Sequence, residues 1–311
     1  MRPARSALGV NVIFMGTPDY AKEILQTILK TNDMNVVAVY TQPDKPVGRK
    51  KTMTPPVVKT LAQEHDIKVY QPNRLRDDEV VKELLNIKCD YIVVAAYGQI
   101  LPIEILNHAP CINLHASILP AYRGASPIQQ SILNNDKQTG VTAMLMDIGL
   151  DTGNILKIKK IDIDADEMVD GLFDKLTNCA CELTIEVLNN FRTYTPKKQN
   201  DLKATHCKKI TKKDGEIIFN NASEVYNKYR AFTPWPAIYL ESGLKLKKIE
   251  LLEVHSENEA GKILLVEKES IIVGCEKGSI RIFKVQPSSK KEMDISSYIN
   301  GKRLNLADTL S

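Results

Sequence analysis

Asn113 and His115 stand two residues apart at the end of an apolar run, Cys111–His115, that reads as a β-strand. Alternation along a strand puts both side chains on one face, so an amide and an imidazole share a side. A second apolar run, Val141–Met146, ends before Asp147, and the next turn reads Gly149-Leu150-Asp151-Thr152-Gly153. Glycine on both sides lets the backbone turn tightly and brings the Asp151 carboxylate close to a neighbour. Such a set supplies a neutral donor, a titratable imidazole and a carboxylate, which together stabilise an oxyanion and shuttle a proton. Each residue alone has a plainer explanation: a histidine satisfied locally, an aspartate that only makes a turn. Their shared placement at strand ends carries the catalytic reading; His65, His108, His206 and His255 have no comparable setting.

Other chemistries find less support. No serine or cysteine is paired with a base in a recognisable elbow, so no covalent nucleophile is expected. No HxxxH or HExxH spacing occurs, so no metal is expected. The six cysteines form no CxxC pair, which argues against a disulfide framework or zinc ribbon. Gly16-Thr17-Pro18 matches neither dinucleotide nor P-loop patterns. It reads either as an anion-binding turn or as a tight turn capping the next helix.

The elements that must hold these residues alternate between two periods. Val10–Met15, Asn35–Tyr40, Lys68–Tyr70, Tyr91–Tyr97, Cys111–His115 and Val141–Met146 read as strands. Asp19–Leu29, Lys59–His65, Asp77–Leu85, Pro127–Leu133 and Glu167–Phe191 read as helices. This βαβ rhythm implies a Rossmann-like, doubly wound α/β sheet that binds ligands at strand ends. After Thr195 the pattern changes to short β-like runs: Glu216–Phe219, Ile238–Leu240, Leu246–Leu252, Gly261–Val266, Ser270–Cys275 and Ser279–Val285. They suggest a small OB-like β-barrel. The expected organisation is a catalytic domain over 1–190, a linker over 191–207 and a barrel domain over 208–311.

The chain has 311 residues, 43% hydrophobic and 26% charged, which suits two globular domains. No run approaches the roughly 20 apolar residues of a membrane helix. Arg2 and Arg5 precede no apolar stretch before the first strand, so no signal peptide is expected and a cytoplasmic protein is. Net charge is only +4, but Lys197, Lys198, Lys203, Lys208, Lys209, Lys212 and Lys213 crowd one stretch. A solvated face and a phosphate-binding face both remain open for it. The same choice holds for the basic stretch Gln42–Pro56, which contains Arg49, Lys50 and Lys51.

Asn113-Leu114-His115-Ala116-Ser117-Ile118-Leu119-Pro120, continuing through Tyr122-Arg123-Gly124-Ala125-Ser126-Pro127, resembles the signature of the folate-dependent formyltransferases. Gly149–Gly153, Phe14–Pro18 and Ala95–Pro102 resemble further family motifs, and Arg230–Pro236 and Gln286–Met293 do so in the second half. The resemblance covers nearly the whole chain except residues 1–10. It implies that Asn113, His115 and Asp151 are the catalytic set and that Ser117, Ile118, Leu119 and Pro120 contact the folate. It further implies that Ala95, Tyr97, Gln99, Ile100 and Leu101 line the pterin pocket through backbone groups. The donor it implies is 10-formyltetrahydrofolate, and the acceptor is the free amino group of methionyl initiator tRNA; a monomer is expected. Arg49, Lys50, Lys51, Lys208 and Lys209 would then hold tRNA phosphates. A sugar-nucleotide amine is the competing acceptor, one that would not need a basic loop and barrel. A tRNA-binding module without activity would instead be expected to lack the Asn/His/Asp set. Trp235, between prolines, reads as a packing anchor rather than a base-stacking platform.

Overall fold

The computed structural model describes residues 9–48 and 50–311. They form two compact units. The first runs to Pro127 and adds Gln138–Asp162 and Phe173–Cys207; the second gathers Ile128–Lys137, Ile163–Leu172 and Lys208–Ser311.

Strands of the first unit are β1 (Val10–Gly16), β2 (Met34–Tyr40), β3 (Lys45–Val47), β4 (Thr52–Thr54), β5 (Val69–Tyr70), β6 (Tyr91–Ala95), β7 (Cys111–His115), β8 (Arg123–Gly124), β9 (Gln138–Leu145), β10 (Ile155–Asp162) and β11 (His206–Cys207). Seven of them make one sheet in the order β10-β9-β7-β6-β1-β2-β5. The five from β7 to β5 are parallel, whereas β9 pairs antiparallel with β7 and β10 antiparallel with β9. Buried on both faces, the central parallel strands are continuous apolar runs such as Val12-Ile13-Phe14-Met15. Helices α1 (Asp19–Lys30), α2 (Val57–Glu64), α3 (Asp78–Leu85) and α4 (Ile103–Leu106) lie between strands of this unit. The α1 residues Ala21, Ile24, Leu25 and Ile28 are all buried, as their i, i+3, i+4, i+7 spacing predicts. The α/β expectation is met. Helices α5 (Pro127–Leu133) and α6 (Val169–Asn190) each have residues in both units.

The second unit contains α7 (Ala222–Phe232), β12 (Ile238–Tyr239), β13 (Lys245–Glu257), β14 (Ile263–Val266), β15 (Ile271–Gly274), β16 (Lys277–Gln286), β17 (Met293–Asp294) and α8 (Ile295–Lys302). Its antiparallel sheet runs β12-β13-β16-β15-β14, with β17 on β16. Four register shifts between β13 and β16 let this long pair coil. Segments 128–137 and 163–172 join this unit although they precede residue 190. Buried Arg230 explains the attachment: its guanidinium donates to Asn135 Oδ1 at 3.2 Å, Glu167 O at 3.3 Å and Asn227 Oδ1 at 2.6 Å.

Several expectations need correction. β6 stops at Ala95 rather than Tyr97, because Ala96 and Gly98 take positive φ values of 47° and 81°. Glu216–Phe219 is no strand; only Glu216 makes an isolated bridge, to Tyr239. The basic stretch after β2 contains the β3–β4 hairpin, and β10 was not foreseen, its alternation being blurred by Lys157, Lys159 and Lys160. Trp235 is 60% exposed rather than the buried packing anchor expected, and Phe232 and Pro236 take the buried positions around it.

Candidate active site

Asn113 lies on β7 opposite Val94 of β6, so it stands beside the loop that follows β6. Antiparallel β9 pairs Met144 with Asn113 and Thr142 with His115. The strand therefore leaves β7 at the end opposite to the one the parallel strands point toward. The turn after it folds back, and the Leu145 N–H donates to the Asn154 carbonyl at 2.8 Å. Asp151 thus reaches Asn113 and His115 over one face of β7, not from a neighbouring carboxyl end as expected. Glycine makes this possible: a Cβ on Gly153 would lie 1.7 Å from the Leu145 carbonyl oxygen. Asp151 itself holds a left-handed φ of 54°.

The three predicted residues meet. Asn113 Nδ2 donates to Asp151 Oδ1 at 3.3 Å, and the Gly124 N–H donates to Asp151 Oδ2 at 2.8 Å. His115 Nδ1 faces the same Oδ2 at 3.7 Å, with the two side chains only 7% and 10% exposed. At that separation the contact is electrostatic rather than a hydrogen bond. His115 Nε2 lies 2.9 Å from the Tyr122 carbonyl. A carbonyl only accepts, so Nε2 carries a hydrogen and Nδ1 is the nitrogen available for proton transfer. The Tyr122 carbonyl thereby orients the ring, and Asp151 faces its other nitrogen.

Ser117–Pro120 follows directly. Ser117 is wholly buried, and its hydroxyl donates to the Ala121 carbonyl at 2.6 Å. Thr142 Oγ1 donates to the Ser117 carbonyl and accepts from the Leu119 N–H. The serine hydroxyl and Leu119 are thus committed to the scaffold, leaving Ile118 and Pro120 half-buried.

Ala95 at the end of β6 and Tyr97 and Leu101 in the loop after it are buried, while Ile100 is 79% exposed. Gln99 spends its amide on the Pro72 carbonyl and the Leu75 N–H. The Tyr97 carbonyl accepts from Gln42 Nε2 at 3.0 Å and Thr17 Oγ1 at 3.4 Å. Exposed Ala96 and Gly98 are left to offer backbone groups to a ligand. Gly16 is explained by packing: a Cβ there would sit 2.5 Å from Ala21 Cβ and 2.8 Å from the Ala95 carbonyl.

Sequence reasoning missed residues 191–207 as part of this unit. Lys197 bridges Ile155, and Gln199 Nε2 donates to the carbonyls of Asp151 (2.9 Å) and Gly153 (2.8 Å). β11 pairs with β8 beside Gly124. Cys207 Sγ donates to the Tyr122 carbonyl, and burial, with a smaller push from Asp151, holds its thiol above the usual range. That thiol also lies 3.6 Å from the Arg123 carbonyl, so it serves segment 122–124 as a hydrogen-bond donor. Among the described residues no group of three or more His, Cys, Asp or Glu is placed to hold a metal. None of their helices is long and apolar enough to cross a membrane.

The basic residues divide between the units. Lys50 and Lys51 are exposed at the β3–β4 tip of the first, while Arg49 lies outside the described residues. Lys208, Lys209, Lys212 and Lys213 are exposed on the second.

Comparison with known proteins gives the frame for this geometry. The formyl transferase family model matches residues 10–188, and that of the formyl transferase C-terminal domain matches residues 209–303. The methionyl-tRNA formyltransferase of Sulfurimonas denitrificans is 67% identical over 302 residues, spanning 97% of this chain and 100% of its own. That of Campylobacter lari is 50% identical over 302 residues, spanning 96% and 99%. Among solved structures, a Helicobacter canadensis N-formyltransferase with folinic acid and dTDP-3-aminofucose aligns at TM-score 0.67 and 20% identity, covering 89% of this chain and 100% of that one. HypX of Aquifex aeolicus with tetrahydrofolic acid aligns at TM-score 0.59 and 14% identity, covering 96% and 48%. At these identities the structural likeness speaks to the fold alone.

Proposed function

Because the chain belongs to the formyl transferase family, we propose that it transfers the formyl group of 10-formyltetrahydrofolate to the free amino group of methionyl initiator tRNA. It is a one-carbon group transferase acting on methionyl-tRNA, a reading carried by full-length identity of 48–67% to proteins of that activity. The sugar N-formyltransferase structures it resembles are 20% and 21% identical and share the fold.

The chemistry divides among the three residues. Attack of an amine on a formyl carbon puts negative charge on the formyl oxygen. Asn113 Nδ2 has two hydrogens, one directed to Asp151 and one free for that oxygen. His115 Nδ1 takes up or delivers the proton that must pass from the attacking amine to the leaving nitrogen. Asp151, held by the Gly124 N–H, stabilises the charged imidazole across 3.7 Å. Half-buried Ile118 and Pro120, with the exposed backbone at Ala96 and Gly98, suit the flat, donor- and acceptor-edged ring of a pterin. The first unit is then the folate-binding catalytic part. Lys50, Lys51, Lys208 and Lys209, with Arg49, supply cations for tRNA phosphates. The organisation is that of a cytoplasmic monomer with a C-terminal tRNA-binding part.

The test is incubation of the purified chain with 10-formyltetrahydrofolate and either charged initiator methionyl-tRNA or a sugar-nucleotide amine. Formyl transfer to the tRNA alone is expected. Transfer only to the sugar, or to neither, overturns the reading.

A further inference from the structure

Gln199 has every hydrogen-bonding group of its amide engaged. Nε2 donates to the Asp151 and Gly153 carbonyls at 2.9 and 2.8 Å, with Met144 Sδ a longer 3.9 Å away. Oε1 accepts from Arg123 Nε at 3.1 Å and Arg123 Nη2 at 2.9 Å. Two carbonyls on one side and a guanidinium on the other admit only this amide orientation. Both residues are buried, Gln199 at 5% and Arg123 at 4% exposed. The guanidinium of Arg123 also donates to Asp201 Oδ1 at 2.8 Å.

What Gln199 joins is specific. On one side is the turn whose carboxylate meets Asn113 and His115. On the other is the segment 122–124, which holds both remaining site contacts: the Tyr122 carbonyl on His115 Nε2 and the Gly124 N–H on Asp151 Oδ2. That segment is pinned on either side of Arg123. The Tyr122 N–H donates to Thr205 Oγ1 at 2.9 Å, the Arg123 N–H to the Thr205 carbonyl at 2.9 Å, and the Ala125 N–H to the Cys207 carbonyl at 3.2 Å. One amide therefore bridges the support of Asp151 and the support of His115.

We propose that Gln199 is a positioning residue for formyl transfer, fixing the His115–Asp151 separation by clamping the Asp151 turn to Arg123. No other uncharged side chain of this length both donates twice and accepts twice. Glutamate keeps the Arg123 contacts but sets an oxygen against two carbonyls, and alanine removes both sides of the clamp. The inference rests on the reading of Asn113, His115 and Asp151 as the reacting set.

The experiment measures kcat, both KM values and thermal unfolding for the unaltered chain, Gln199→Ala, Gln199→Glu, Asp151→Asn and the Gln199→Ala/Asp151→Asn double variant. A displacement of about 1 Å at a reacting group costs about 100-fold, so a 10- to 100-fold fall in kcat is expected for both Gln199 variants. Both KM values should stay within about threefold, because substrate contacts are untouched. The double variant should be no slower than Asp151→Asn alone, since the loss passes through Asp151. Unaltered kcat in either folded Gln199 variant, or full additivity in the double, overturns the proposal. Should Gln199→Ala fail to fold, Gln199→Glu decides by the same kcat criterion. Absence of formyl transfer by the unaltered chain would sink the underlying functional reading instead, a result distinguishable from all of these.

Discussion

Replacing Asp151 by asparagine removes one charge and the acceptor for Asn113 Nδ2 while keeping an oxygen for the Gly124 N–H, so the turn should survive and the electrostatics should not. The carboxylate stands 3.7 Å from His115 Nδ1, and neither side chain is more than 10% exposed. Two unit charges at that distance attract by about 4–5 kcal/mol at an effective dielectric of about 20. The attraction acts in full only when the imidazole carries its second proton, so it is realised as the reaction proceeds rather than in the resting site. At about 1.4 kcal/mol per decade, its loss lowers kcat by about three powers of ten. The groups proposed to hold the folate are different ones, so its KM should move by less than about threefold. The assay is steady-state formylation of methionyl-tRNA, with circular dichroism to establish that the variant is folded. A folded Asp151→Asn protein within about tenfold of the original kcat would refute the electrostatic assignment, as would a loss confined to KM.

Asn113→Ala should lower kcat by about 100- to 1000-fold through loss of an oxyanion donor; a raised folate KM at unchanged kcat would make it a binding residue. In Gly153→Ala the new Cβ would meet the Leu145 carbonyl at 1.7 Å, so the turn must move. Urea unfolding should report about 1–3 kcal/mol of lost stability, with kcat falling alongside, and native values of both would show that the turn gives way freely. Replacing Lys208 and Lys209 by alanine should flatten the log–log salt dependence of tRNA affinity by about 0.9 for each phosphate no longer neutralised. Lys50/Lys51→Ala should flatten it likewise and lower kcat too if the hairpin positions the acceptor end. Equal slopes in all three proteins would return both clusters to solvated surface.

Local patterns were legible in the residues themselves. Strand alternation put Asn113 and His115 on one face, paired glycines marked the Asp151 turn, and the spacing in α1 named its buried stripe. These are readable because a period of two or 3.6 residues is written in neighbouring positions. Long-range packing settled what those patterns left open. Antiparallel pairing of β9 sent the Asp151 turn across the face of β7, and nothing within that strand encodes its direction. The stretch read as a linker packs beside the site, where Gln199 meets Arg123 from 76 positions away and Asp151 from 48. The nitrogen of His115 free to react was likewise set by the Tyr122 carbonyl, a backbone atom that any residue would supply. A buried amide or carbonyl chooses its partner by where the folded chain places donors and acceptors, and that choice leaves no periodic trace in the sequence.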